Sequence, residues 1–104
     1  MARKEKLRQM LQSDPNDPFL NYALAQEYLS ADERPEAIKR FRDVIHRFPD
    51  YHAAHFQLGQ ILAEEGSTDE AIQTVTSGIE AAKQAGDRHA VSEMTEFLQM
   101  LGDQ

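Results

Sequence analysis

A shift of 34 residues lays this chain over itself, and that period limits the fold more than any other feature of the sequence. Leu24 falls on Leu58, Gln26 on Gln60, Glu36-Ala37-Ile38 on Glu70-Ala71-Ile72, and Ile45 on Ile79. Residue class is kept between Tyr22 and Phe56, Ala25 and Gly59, Tyr28 and Leu62, and Phe41 and Val75. Carried backwards, the same shift pairs Leu7 with Phe41, Met10 with Val44, Leu11 with Ile45 and Pro15 with Pro49. Large apolar, small and helix-ending positions thus recur together. That is the mark of a stacked repeat, in which no unit buries its own apolar face and neighbours must cover it. The chain reads as the second half of one repeat, two full repeats and a tail without a match.

Each repeat predicts two helices. Asp17 is a good N-cap, and Pro18 fits a first turn where a missing N–H costs nothing. Leu20, Ala23, Leu24 and Tyr28 follow at helical spacing. After a turn over 30–34, Pro35 opens a second helix with the stripe Ile38, Phe41, Val44, Ile45 and Phe48, and Pro49 ends it. The second repeat predicts one helix from about His52 to Glu65, with Gly66 as its C-cap, and another from Thr68 or Asp69 to Gly86. Asp87 then caps a last helix with the stripe Ala90, Val91, Met94, Phe97, Leu98 and Leu101. The run Thr74-Val75-Thr76-Ser77-Gly78 is a poor helix former, but its match to the stretch around Phe41 outweighs that. Six helices and no strands are expected. Within each pair the small residues Ala25, Ala37, Gly59, Ala71 and Gly78 permit close approach, while Leu24, Tyr28, Phe41, Leu58 and Leu62 fill the space between pairs.

These positions resemble the tetratricopeptide repeat (TPR): Leu24-Ala25, Tyr28, Ala37, Phe41, Val44 and Pro49, then Leu58-Gly59, Leu62, Ala71, Val75 and Gly78. The resemblance covers about residues 18–82. It implies an all-α solenoid of antiparallel helix pairs, a right-handed superhelical segment within one domain over 1–104. The expected parts are an N-terminal capping helix over 2–13, repeats over 18–49 and 52–85, and a C-terminal capping helix over 87–101. Two positions depart from the family pattern. Asn21 and His55 stand where an early aromatic is usual, and Lys83 stands in place of a closing proline, which points to a longer helix leading into an atypical cap. At the N-terminal end Leu7, Met10 and Leu11 are expected to face inward.

Composition narrows the chemistry. With no Cys there is no thiolate zinc site, disulfide or cysteine nucleophile. His52 and His55 share an i,i+3 spacing with His46 nearby, but a third ligand is weakly supplied by Asp43 or Asp50. These rings are therefore expected to be polar and partly exposed, with no metal or other cofactor. Asp32-Glu33, Glu64-Glu65 and Asp69-Glu70 lie at turns and helix ends, as capping groups and not as an acid–base pair. No nucleotide-binding or hydrolase motif is present, so the chain is expected not to be an enzyme. The net charge of −7 argues against nucleic acid. No apolar run has the length of a membrane span, and the basic start is followed by no apolar stretch of a signal peptide. A soluble, cytoplasmic module is expected.

The resemblance implies binding of a peptide or partner protein on a concave face lined by the first helix of each pair. The residues expected there are Phe19, Tyr22, Gln26 and Leu29, then Asp50 and Tyr51 at the connecting turn, and Phe56, Gln60 and Glu64. Phe19 and Leu29 could instead be core residues, and Tyr22 and Phe56 could pack on each other. Residues 18–30 and 51–65 contain neither Lys nor Arg, so a clamp for an acidic tail is not expected. Glu27, Glu64 and Asp50 favour an apolar or aromatic segment with basic residues beside it. The alternative is a structural or self-associating element, or a fragment of a longer scaffold. Charge is also divided along the chain: residues 1–12 hold four basic and one acidic residue, and from Gln60 onward nine acidic residues face only Lys83 and Arg88. That asymmetry suggests end-to-end pairing in a weak homodimer.

Overall fold

The computed structural model describes residues 2–102. It contains six α-helices and, among the described residues, no strand: α1 (Arg3–Ser13), α2 (Pro18–Ser30), α3 (Arg34–Arg47), α4 (His52–Glu64), α5 (Thr68–Ala85) and α6 (Arg88–Gly102). The fold is the all-α, helix-pair architecture expected from the repeat. The chain divides into two compact units, one ending at Phe48 and the other starting at Pro49.

In the first unit α2 packs against both α1 and α3. Asp17 accepts from the Leu20 N–H at 3.0 Å, and the fixed φ of Pro18 starts α2. The core is Leu7, Leu20, Ala23, Leu24, Ala25, Tyr28, Ala37, Phe41 and Val44. Tyr28 joins the three helices, since Lys4 and Arg8 from α1 and Arg40 from α3 all lie over its ring, at 4.5, 5.7 and 4.7 Å. Arg8 also donates to the Tyr28 hydroxyl. From α3, Arg47 reaches back to the α1–α2 loop, donating to the Pro15 carbonyl and to Asn16 Oδ1, each at 2.8 Å.

In the second unit α5 packs between α4 and α6. The segment over 74–78 is helical despite its poor propensity, because tertiary packing overrides it. A Cβ on Gly78 would fall 2.6 Å from the His55 Cβ and 3.0 Å from the Met94 sulfur, so the glycine admits α4 and α6 to the same face of α5. A Cβ on Gly59 would meet Val75 Cγ2 at 2.2 Å. α5 has 18 residues against 14 in α3, consistent with Lys83 standing where a proline would have stopped it.

The repeat extends to the hydrogen bonds. α2 ends with Glu33 N–H donating to Tyr28 O and Asp32 N–H to Leu29 O; α4 ends with Ser67 to Leu62 and Gly66 to Ala63, one repeat on. The C-cap of α4 is Glu65 and not the expected Gly66, which follows one place on in the left-handed region with φ 87°. Its counterpart Asp32 has φ 60°, the one non-glycine residue in that region among the described residues.

Two expectations about burial are corrected. His55 is buried, at 4% exposure, and not partly exposed. The reason is shared with Asn21, its equivalent: Asn21 Nδ2 donates to the Pro15 carbonyl at 3.1 Å, and the His55 Nε2–H donates to the Pro49 carbonyl at 2.9 Å. In both repeats a polar side chain replaces the usual aromatic and ties the helix to the proline that closes the preceding one. Met10 is 45% exposed and does not face inward as Leu7 does, because it lies at the margin of the α1–α2 contact.

Two substitutions test this packing by chemical denaturation. Asp32→Gly should stabilise the protein by about 0.5–1 kcal/mol, by relieving a side chain from a left-handed turn. Gly78→Ala should destabilise it by about 1 kcal/mol or more, although alanine is the better helix former, because the added methyl overpacks the α4–α5–α6 contact.

Candidate functional site

The residues expected at a binding face fall into distinct surroundings. In the first unit Phe19, at the second position of α2, projects outward at 58% exposure. With Leu20 from α2 and Arg3, Lys6, Leu7 and Met10 from α1 it borders a hollow of about 270 Å³. Tyr22 is half-buried and lies edge-on to Phe41, with ring centroids 5.8 Å apart, so its ring serves packing inside its own unit. Gln26 donates to the Tyr22 hydroxyl at 3.0 Å, which removes part of the amide from service to a peptide backbone. Leu29 is half-buried. Glu27, expected to stand without an opposing cation, is paired with Arg3 at 3.2 Å, because α1 lies against α2.

In the second unit Asp50 is exposed and Tyr51 half-buried at the entry to α4. Phe56 is edge-on to Phe97 of α6, with centroids 5.7 Å apart, so this aromatic also turns to a neighbour in its own unit. Gln60 and Glu64 are brought together with Ala63, Phe97, Met100 and Leu101 around an open hollow of about 390 Å³ between α4 and α6. The two helices contribute matching triplets at i, i+3 and i+4, so each offers one continuous face. Met100 is 64% exposed there. Helical spacing alone does not disclose the apolar contribution of α6, because Phe97 and Leu101 also belong to the stripe expected to cap the repeat. Its signal was the presence of Met100, an apolar residue just off that stripe.

α6 packs through Met94 against Val75 and Ala82, and the Asp87 carboxylate caps its start. The carboxylate accepts from the Ala90 N–H at 3.0 Å and meets His52 Nε2 at 2.9 Å. A hollow of about 460 Å³ beside it is lined by Lys83, Gly86, Asp87, Arg88, Val91 and Ser92. Its charges are mixed and its large apolar lining is Val91, so it lacks the apolar character of the α4–α6 hollow. Among the described residues no group of three or more His, Asp or Glu is arranged to hold a metal ion. No described helix is long and apolar enough to cross a membrane.

Comparison with known proteins agrees with this geometry. A family model described as tetratricopeptide repeat matches residues 22–89. The chain belongs to the tetratricopeptide repeat family. It is 30% identical over 97 residues to a TPR repeat-containing protein of Pseudomonas aeruginosa, a match spanning 93% of this chain and 92% of that one. A crystal structure of a tetratricopeptide repeat domain protein from Salinibacter ruber superposes with a TM-score of 0.80 and 34% identity, covering 84% of this chain and 97% of the other. A solution structure of a Bordetella parapertussis protein gives a TM-score of 0.82 at 29% identity, over 99% of this chain and 90% of that one. TPR folds are in general protein–protein interaction modules.

The Asp87 contacts carry a pH signature. The Ala90 N–H first, then the His52 ring and more weakly His89, hold this carboxyl below its ordinary value. A lowered carboxyl stabilises the fold fully above its unfolded pKa of about 3.9 and loses that contribution as pH falls through the folded value. Asp87→Asn should therefore melt below the parent near neutral pH, and the two melting temperatures should converge once acid has protonated the parent's carboxylate. A gap that stays constant with pH would contradict the assignment.

Proposed function

We propose that the chain acts as a protein-interaction module that receives an apolar or aromatic segment, with Lys or Arg beside it, in the α4–α6 hollow. The observation that carries this reading is the pairing of an apolar floor, exposed Met100 with half-buried Phe97 and Leu101, with Gln60 and Glu64 on the facing helix. Apolar area supplies affinity, the Gln60 amide offers both a donor and an acceptor to a peptide backbone, and the carboxylate favours a cationic neighbour. Residues 51–65 contain no Lys or Arg to attract an acidic segment. Of the residues expected from the sequence, Gln60 and Glu64 thus carry the proposal, while Phe56 supports it from behind through Phe97.

A shallow site of this size suits a micromolar Kd, about −8 kcal/mol. Ala63→Arg, from a half-buried position on α4, fills the hollow and offsets the charge of Glu64. In a peptide-display selection followed by calorimetry, the chain should enrich segments with an aromatic or large aliphatic residue next to Lys or Arg. Ala63→Arg should weaken them at least about tenfold, or about 1.4 kcal/mol, with its helical circular dichroism unchanged. Selection of acidic segments, or equal binding by Ala63→Arg, would overturn the proposal.

A further inference from the structure

The ligand class proposed for the α4–α6 hollow is present on the chain itself. Four large apolar side chains are exposed among the described residues: Met10, Phe19, Ile72 and Met100. Met10 and Phe19 stand together on the α1–α2 edge, and Arg3 and Lys6 flank them on the same face of α1. This is an aromatic and a thioether side chain beside two cations. Met100 marks the other hollow, where Glu64 lies on α4, and on α6 Glu93 and Glu96 come one turn before Phe97 and Met100.

We propose that the partner is a second copy of this chain, joined head to tail, with Phe19 and Met10 of one copy seated in the α4–α6 hollow of the next. This rests on the reading of that hollow as a protein-binding site and names its occupant. Charge complementarity selects the arrangement. A symmetric contact of hollow with hollow would bring Glu64, Glu93 and Glu96 against their own copies, and a contact of edge with edge would do the same to Arg3 and Lys6. The head-to-tail contact alone sets cations against carboxylates, and like charges brought together at an interface are strongly unfavourable. The Arg3–Glu27 ion pair does not remove the cation, because the Arg3 side chain remains 65% exposed and such surface pairs are weak. A contact between two different patches is heterologous, so it propagates or closes into a ring, unlike a two-fold dimer.

The test uses two complementary variants of the full chain in sedimentation velocity. Phe19→Glu removes the projecting ring at a helix N-terminus, where a carboxylate is well tolerated. Ala63→Arg blocks the hollow. The parent should gain mass with concentration and lose it as salt is raised towards 1 M, where the Debye length falls to about 3 Å. Each variant alone should stay monomeric, and an equimolar mixture should form a 1:1 dimer that goes no further, because each partner supplies the patch the other lacks. Circular dichroism of both variants separates loss of contact from loss of fold, and a charge-neutral pair, Phe19→Ser and Ala63→Gln, replaces any variant that unfolds. A parent that remains monomeric up to about 1 mM would overturn this inference. So would variants that still associate, or a mixture that stays monomeric. Peptide binding by the monomeric parent, abolished by Ala63→Arg, would in that case leave the hollow's own function standing, so the two readings fail separately.

Discussion

The helix pairs of this protein close to a separation that leaves no room for a methyl group at selected points, and most of the fold follows from that approach. At Gly59 a single added carbon would overlap Val75, and at Gly78 it would overlap the His55 side chain at its root. Ala25, Ala37, Ala71 and Ala82 are wholly buried in comparable positions. Close backbones let the larger residues, Phe41, Val44, Val75 and Met94, fill space from several helices at once. Every such residue then depends on more than one helix of its own unit.

The period of 34 residues made much of this legible. It disclosed the number of helices and the small positions, while Asp17 and Asp87 were direct capping signals with no counterpart one repeat away. The left-handed Asp32 was not legible, since aspartate is a common turn residue and nothing beside it names the turn type; only its equivalence with Gly66 discloses it. The burial of His55 was missed for a related reason. An imidazole is read as polar until its hydrogen-bond partner is known, and that partner is a main-chain carbonyl, which carries no residue type.

The candidate site was less readable than the fold. Helical spacing put Gln60 and Glu64 on one face, but it could not show that Phe56 and Tyr22 turn their rings to neighbours in their own units. Nor could it bring Met100 of the last helix opposite them. Surface character depends on which helix lies alongside, and that is decided by packing across the sequence. The ion pair between Arg3 and Glu27 shows the same limit, as it joins residues 24 positions apart. Charge division along the chain, by contrast, needs no contact to be seen.

Arg47 lies one residue before the end of the first unit. Its guanidinium meets four acceptors: Asn21 Oδ1 at 3.3 Å, Asp43 Oδ2 at 3.2 Å, and the Pro15 carbonyl and Asn16 Oδ1 at 2.8 Å. Junctions between compact units are where digestive proteases usually enter a native protein. A protease that recognises arginine must draw this side chain into its own pocket, and here that means breaking all four bonds together. The residue that would mark the junction for cleavage is also the one that bolts the α1–α2 loop to α3, so the bond after Arg47 is shielded for as long as the first unit stays folded.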